Sequence, residues 1–433
     1  MGAIRKPEIG APGASEKAMR RWRLRFGCGT VLLVYLLTAC ALAETPQAIP
    51  PPKPSRKEAA PTVRKVQKLK EKTARVLKSR DRRRPKVPPK KLPAKPADID
   101  ALFSRAVVAR KRADWKAAIA LLERAVAINP RFGEAFNDLG VARFHLGRTA
   151  EAREAFERAL RIFQKKRDRQ GVGWSRANLA ALAQREHRYS EAMRLYRESL
   201  SSFRRRADES NVAAGLTNMG LIHEARGEYG PAERLHREAL TRSLRLGDAW
   251  GVATALNNLG NALTQQGKYR EALTHYEKSR GIALRLGDRR LGAKSLSNQA
   301  LVQESLGRIG EALRLHRAAL GVFEDVGDER AAARSLNNLA NLHEARGRRE
   351  RAARLYERSL AIKRRLGDAR GVAVTLNNLA NIQESLGRLS EALRGYCEGL
   401  SISRRLGLAP LEKLIRENLG LLRRKRAGLS CEG

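Results

Sequence analysis

A short phrase returns eight times in this chain at an unvarying interval of 40 residues. It is a small polar residue, a mostly apolar residue, then Gly or Ala: Asp138-Leu139-Gly140, Asn178-Leu179-Ala180, Asn218-Met219-Gly220, Asn258-Leu259-Gly260, Asn298-Gln299-Ala300, Asn338-Leu339-Ala340, Asn378-Leu379-Ala380 and Asn418-Leu419-Gly420. A fixed period of this length specifies stacked supersecondary units, each burying its apolar face on its neighbours, in place of one globular core. Such stacks offer a long surface for gripping a partner.

The unit from Asp248 to Gly287 shows the grammar. Asp248 is placed to cap a helix, because its carboxylate can accept the free N–H groups of a first turn. A helical pattern follows through Val252, Ala255, Leu256, Leu259, Gly260 and Leu263, and Gly267 interrupts it. A second pattern carries Tyr269, Ala272, Leu273, Tyr276, Ile282 and Leu286. Gly287 suits the left-handed position after a helix end, and Asp288 caps the next unit. The Asp caps and both sets of glycines recur with the period, so each unit reads as a helix–turn–helix hairpin. Small residues such as Gly260 and Ala272 let the two arms approach. Phe156, Tyr196, His236, Tyr276, His316, Tyr356 and Tyr396 share one larger slot, expected to fill the seam between neighbouring hairpins.

The layout resembles the tetratricopeptide repeat. Its first unit is similar to the standard 34-residue form, from Ala106 to Gly140, with a second helix ending Ile128-Asn129-Pro130. The later units, with Leu-Asn-Asn-Leu-Gly-Asn at 256–261 and Arg-Leu-Gly-Asp at 285–288, resemble the longer repeats of kinesin light chains and of the Leu-Gly-Asn spindle adaptors. The resemblance implies an all-α fold: a right-handed solenoid of eight hairpins over 99–407, then a capping helix and tail at 408–433. Arg423, Arg424, Lys425 and Arg426 give that last helix a solvating outer side.

The first 98 residues read differently. A basic run, Met19 to Arg25, precedes an apolar stretch from Phe26 to Ala43 that contains Leu37-Thr38-Ala39-Cys40. Residues 1–43 resemble a bacterial secretory signal with a lipobox, which implies a lipid on Cys40 and attachment to a membrane, the outer one by analogy with sorting rules. Met19 is an alternative start. Ala41-Leu42-Ala43 equally fits an ordinary cleavage site, and an uncleaved anchor or no export is the third reading. Residues 44–98 form a Pro-, Lys- and Arg-rich tether. From Glu44 to Pro96 it holds 11 of the chain's 16 prolines and 18 Lys/Arg against four acidic residues. Such composition stays extended and offers electrostatic adhesion to an anionic surface.

The formal net charge is +42, and much of it belongs to the repeats. Second-helix ends such as Lys363-Arg364-Arg365 place cations where they complement the helix dipole and face solvent. Four cysteines make no disulfide framework. Cys397 reads as a small apolar packer and Cys431 as part of a loose tail, with a bridge between them the lesser alternative. No phosphate loop, metal spacing or nucleophile motif appears, so neither catalysis nor a cofactor is expected. His223 and His236 share a hairpin, but both read as structural.

Binding is where the sequence speaks. The resemblance places first helices on a concave face. Asn178, Asn218, Asn258, Asn298, Asn338 and Asn378 then form a column there, flanked three residues on by Asn261, Asn341 and Asn381. Amides donate and accept at once, which suits the backbone of an extended peptide whatever its side chains. The other reading is that these amides satisfy groups between adjacent first helices, and the two can coexist. Lys294 and Arg334 lie four residues before an Asn, similar to the carboxylate clamp of chaperone-binding members of the family, although Asn338 stands where a third basic residue is usual. Glu304, Glu344 and Glu384 would instead favour a basic ligand. The expected function is a scaffold for a protein or peptide segment, tethered to the cell envelope. The rival is a cytoplasmic binder of nucleic acid or another polyanion, driven by charge.

Overall fold

From Glu209 onward each 40-residue period is filled by two helices of 17 residues and two three-residue turns, as at Ala249–Gln265 and Tyr269–Arg285. The computed structural model describes residues 96–425 and Cys431; the signal-like segment with Cys40, the tether up to residue 95, and residues 426–430 and 432–433 lie outside the described residues. Seventeen α-helices and no strand occur among the described residues. The chain divides into two compact units, cut between Asn211 and Val212.

The first unit holds α1 (Pro96–Lys111), α2 (Trp115–Ile128), α3 (Gly133–His145), α4 (Thr149–Lys165), α5 (Arg169–Arg185) and α6 (Tyr189–Arg204). The second holds nearly all of α7 (Glu209–Ala225), then α8 (Tyr229–Arg245), α9 (Ala249–Gln265), α10 (Tyr269–Arg285), α11 (Arg289–Ser305) and α12 (Ile309–Asp325). It continues through α13 (Glu329–Ala345), α14 (Arg349–Arg365), α15 (Ala369–Ser385), α16 (Leu389–Arg405) and α17 (Ala409–Lys425). Within each unit, consecutive helices pack in chain order. First helices also meet one another, α3 on α5, α9 on α11 and α15 on α17, so they form an inner layer and the second helices an outer one.

The local signals act as the sequence implies. Asp168, Asp248, Asp288, Asp328 and Asp368 each accept a hydrogen bond from a first-turn N–H at 2.9–3.1 Å. The turn glycines take φ between 64° and 78°, the region closed to most side chains. Second helices bury one stripe, in α10 Ala272, Tyr276, Ser279 and Ala283. First helices bury most of their surface, because partners press on them from three sides.

The ring slot belongs inside the hairpin, not between hairpins. All seven occupants are at most 1% exposed. A Cβ on Gly140 would sit 2.5 Å from the Phe156 ring, and one on Gly260 would sit 2.6 Å from Tyr276. The seam between hairpins is filled by a different ring, Phe163, which presses on Gly171 of the following helix. A second departure is covalent: Cys397 of α16 is bonded to Cys431. The bridge encloses α17 in a loop with a sequence separation of 34 residues.

Candidate functional site

The 40-residue period lines up equivalent positions on successive first helices. On α9, α11, α13 and α15 it makes four rows: Thr254, Lys294, Arg334 and Val374; then Asn258, Asn298, Asn338 and Asn378; then Asn261, Leu301, Asn341 and Asn381; then Thr264, Glu304, Glu344 and Glu384. The rows are one helical turn apart, so they share a face. A basic row therefore borders the amides on one side and an acidic row on the other.

The amide column sits deeper than its period suggests. Asn258 is fully buried, Asn178 is 1% exposed, Asn218 4% and Asn378 8%. Only Asn298 and Asn338 of the column are half-buried. Part of this register joins first helix to first helix. In the first unit Asn178 donates to Asn137 at 3.0 Å. In the second, Asn298 donates to Asn257 and Asn261 at 3.1 and 3.0 Å, and Asn418 to Asn377 at 2.9 Å. Buried amides demand partners, and the facing amide of the next repeat supplies one. Asn258 Nδ2 has none.

Asn261, Asn341 and Asn381 are half-buried. Each accepts from the ring hydroxyl of its own hairpin: Tyr276 at 2.8 Å, Tyr356, and Tyr396 at 2.6 Å. Tyr396 also donates to Glu384 at 3.0 Å. Their carbonyls are thus engaged from below. Burial raises Glu304 to about 7, so the face can carry a proton near neutrality. Lys294 is half-buried and Arg334 exposed. Arg334 makes no ion pair among the described residues.

The two histidines that share a hairpin are not brought together at a common ligand. His223 Nδ1 lies 2.5 Å from Glu228, and His236 Nε2 lies 3.0 Å from Glu224. Among the described residues no group of three His, Cys, Asp or Glu is arranged around a metal.

One charge departs from its expected place. Lys363 is buried instead of solvent-facing, and its Nζ donates to Thr375 Oγ1 at 2.7 Å. Thr375 also accepts from Asn337 at 3.1 Å. The signal was in the register: the equivalent slot holds Phe163, Phe203, Ser243, Ala283, Phe323 and Ser403, all uncharged and all buried.

Models of a family described as "Tetratricopeptide repeat" match residues 132–205, 251–325 and 331–405, with a second such model over 212–246. A search of curated proteins gives no match. Among solved structures, the apo form of RapI is 17% identical, with a TM-score of 0.53 over 63% of this chain and 99% of that one. The apo quorum sensor NprR from B. thuringiensis is 15% identical, with a TM-score of 0.54 over 78% and 93%. The Rap conjugation gene regulator of plasmid pLS20, solved in complex with the Phr* peptide, is 15% identical, with a TM-score of 0.50 over 71% and 91%. At these identities the likeness is one of fold.

Proposed function

Because this chain belongs to the tetratricopeptide repeat family, we propose that it is a non-catalytic scaffold that grips an extended peptide or protein segment along its first helices. The observation that carries this reading is the banded face of the second unit. Half-buried amides at Asn298, Asn338, Asn341 and Asn381 lie between the cations Lys294 and Arg334 and the carboxylates Glu304, Glu344 and Glu384. Amides address a backbone, and the flanking rows sort the ligand's charges. The Phr* peptide held by a protein of similar fold supports the same use of the fold here. Asn258 and Asn378 lie beneath that face as buried amides of the second unit, and Asn218 is buried at the equivalent position of α7; in the first unit Asn178 joins its helix to the preceding first helix.

The test is a peptide-array screen with the full chain, followed by titration of the best binder. Arg334→Ala and Asn338→Ala should each weaken binding about tenfold, since a lost hydrogen bond to a charged or backbone group costs roughly 1.5 kcal/mol. The melting temperature of Arg334→Ala should not move, because Arg334 is exposed. Unchanged affinity in both variants would remove the face from the proposal. Binding to any polyanion, with a steep salt slope and no peptide preference, would favour the nucleic-acid alternative.

The same proposal places the scaffold at a bacterial cell envelope, on a lipid carried by Cys40, with the basic tether giving reach. The Cys397–Cys431 bond supports it, since disulfides persist in oxidising compartments. Membrane fractionation with mass analysis of the amino terminus tests it. A diacylated Cys40 is the expected result, and an intact, unmodified chain in the soluble fraction refutes it.

A further inference from the structure

Two adjacent hairpins of the second unit break the polarity of their outer edge. Leu244 and Leu284, near the ends of α8 and α10, are 60% and 61% exposed. Trp250, at the start of α9, is 43% exposed, and Leu246 and Leu286 in the turns are 45% and 46% exposed. The repeat is its own control. Where Leu244 and Leu284 stand, other units carry Gln164, Arg204, Glu324, Arg364 and Arg404. Where Trp250 stands, they carry Gln170, Ser210, Arg290, Arg330, Arg370 and Pro410. Neither position needs an apolar residue for the fold, so these three are not products of the packing pattern.

The five side chains lie along one edge. Trp250 Nε1 donates to Asp288 Oδ2 at 3.1 Å, which ties the indole to the turn that carries Leu286. Leu246 lies in the turn just before Trp250, and the two Leu pairs stand one repeat apart. Between them Arg245 and Arg285 are exposed and make no ion pair among the described residues. Asp248 is occupied in capping α9. The patch stops one repeat later, where Glu324 and Asp325 replace the Leu and Arg, and both are paired with arginines.

We propose that this edge is an interfacial membrane-docking surface, which inserts Trp250 and the leucines at the headgroup boundary of an anionic bilayer while Arg245 and Arg285 engage lipid phosphates. The chemistry selects lipid over a protein partner in three ways. Indole and leucine side chains projecting from turns match the headgroup–acyl boundary. Unpaired guanidinium groups beside them extend their charge into the headgroup layer while their stems cover apolar surface. Each cation near an anionic surface adds attraction, and no free carboxylate interrupts the pair. Contiguous exposed apolar area of this kind marks an interaction site in general. The inference is independent of the peptide-binding face and of the lipid on Cys40.

The test uses the full chain carrying Cys40→Ala, which removes any acyl anchor, and phosphatidylglycerol vesicles with brominated acyl chains. Bromine quenches an indole only when it lies at the lipid boundary. Trp250 should be quenched, and the quenched component should vanish in Trp250→Phe. The double variant Leu244→Ser, Leu284→Ser should lower vesicle partitioning about tenfold or more, given the transfer free energy of a leucine side chain. Both leucines are more than half exposed, so the variant should melt with the wild type. Phosphatidylcholine vesicles should leave Trp250 unquenched. Two results overturn the proposal. One is vesicle binding through the basic amino-terminal segment with quenching unchanged by Trp250→Phe. The other is a shift of Trp250 emission with protein concentration in the absence of lipid, which would make the edge a contact between two copies.

Discussion

Lys363 holds a charge where the equivalent positions hold only uncharged residues, Phe163, Phe203, Ser243, Ala283, Phe323 and Ser403. Burial pushes its amine down to about 8, against the opposing pull of the Asp368 carboxylate. The sign of the consequence follows from proton counts. The unfolded chain keeps this proton to about 10.4, as a free lysine does. Between about 8 and that value the unfolded state binds more protons, so stability rises with pH. The rise approaches 1.4 kcal/mol per pH unit, or roughly 2 kcal/mol between pH 8 and 9.5. Denaturant midpoints at the two pH values should show it, and Lys363→Met should lack it. A rise of equal size in the variant would assign the effect to other groups. The residue also shows what is legible in a sequence. Alignment by the period puts Lys363 in a slot of uncharged, buried residues, yet its neighbours Arg364 and Arg365 at the helix end are solvent-exposed, and the triad read as one solvated run. The amide column fails to disclose its depth for a related reason. The period fixes which residues share a row, but burial of that row depends on how closely adjacent first helices approach, and no single repeat encodes that distance.

The hairpin elements were almost wholly legible, because their signals are local. An Asp cap, a left-handed Gly and an apolar stripe each act within one helical turn of themselves. The turns that lack glycine are more informative. Ala113, Arg167, His187 and Ala207 adopt φ of 57°, 57°, 59° and 53°. The packing of the helices on either side dictates the turn, and these residues accept the left-handed conformation at a cost of about 1–2 kcal/mol each. Arg167→Gly and Ala207→Gly should therefore raise stability by about 0.5–1 kcal/mol, after allowance for the greater freedom of Gly in the unfolded chain. The reverse change, Gly287→Ala, should lower it by a similar amount, since Gly287 sits at φ 69°. Thermal or denaturant melts check all three. Removing a cap is a separate lever. Asp328→Ala leaves the Ala331 N–H without its acceptor and should cost about 1 kcal/mol.

At the scale of the molecule, a repeat array is stabilised by interfaces between neighbours, so its ends are its weak points. The bond from Cys397 to Cys431 acts at one such end. It closes a loop around α17, whose Leu411, Leu414, Ile415, Leu419 and Leu422 cover the apolar side of the last hairpin. Restricting a loop of this length in the unfolded chain contributes about 3–4 kcal/mol in the loop-entropy account. In a globular core that loss would be shared by every residue. In an array it should be felt where the bridge lies, because coupling passes only from each repeat to the next. Native-state hydrogen exchange before and after reduction separates the two cases. Reduction should speed exchange in α16 and α17 and leave α2 to α5 unchanged. The variant Cys431→Ser should reproduce the pattern without reductant, which excludes an effect of the reagent itself. Equal acceleration along the whole chain would mean that the repeats unfold as one cooperative body, and nearest-neighbour stabilisation would not describe this protein.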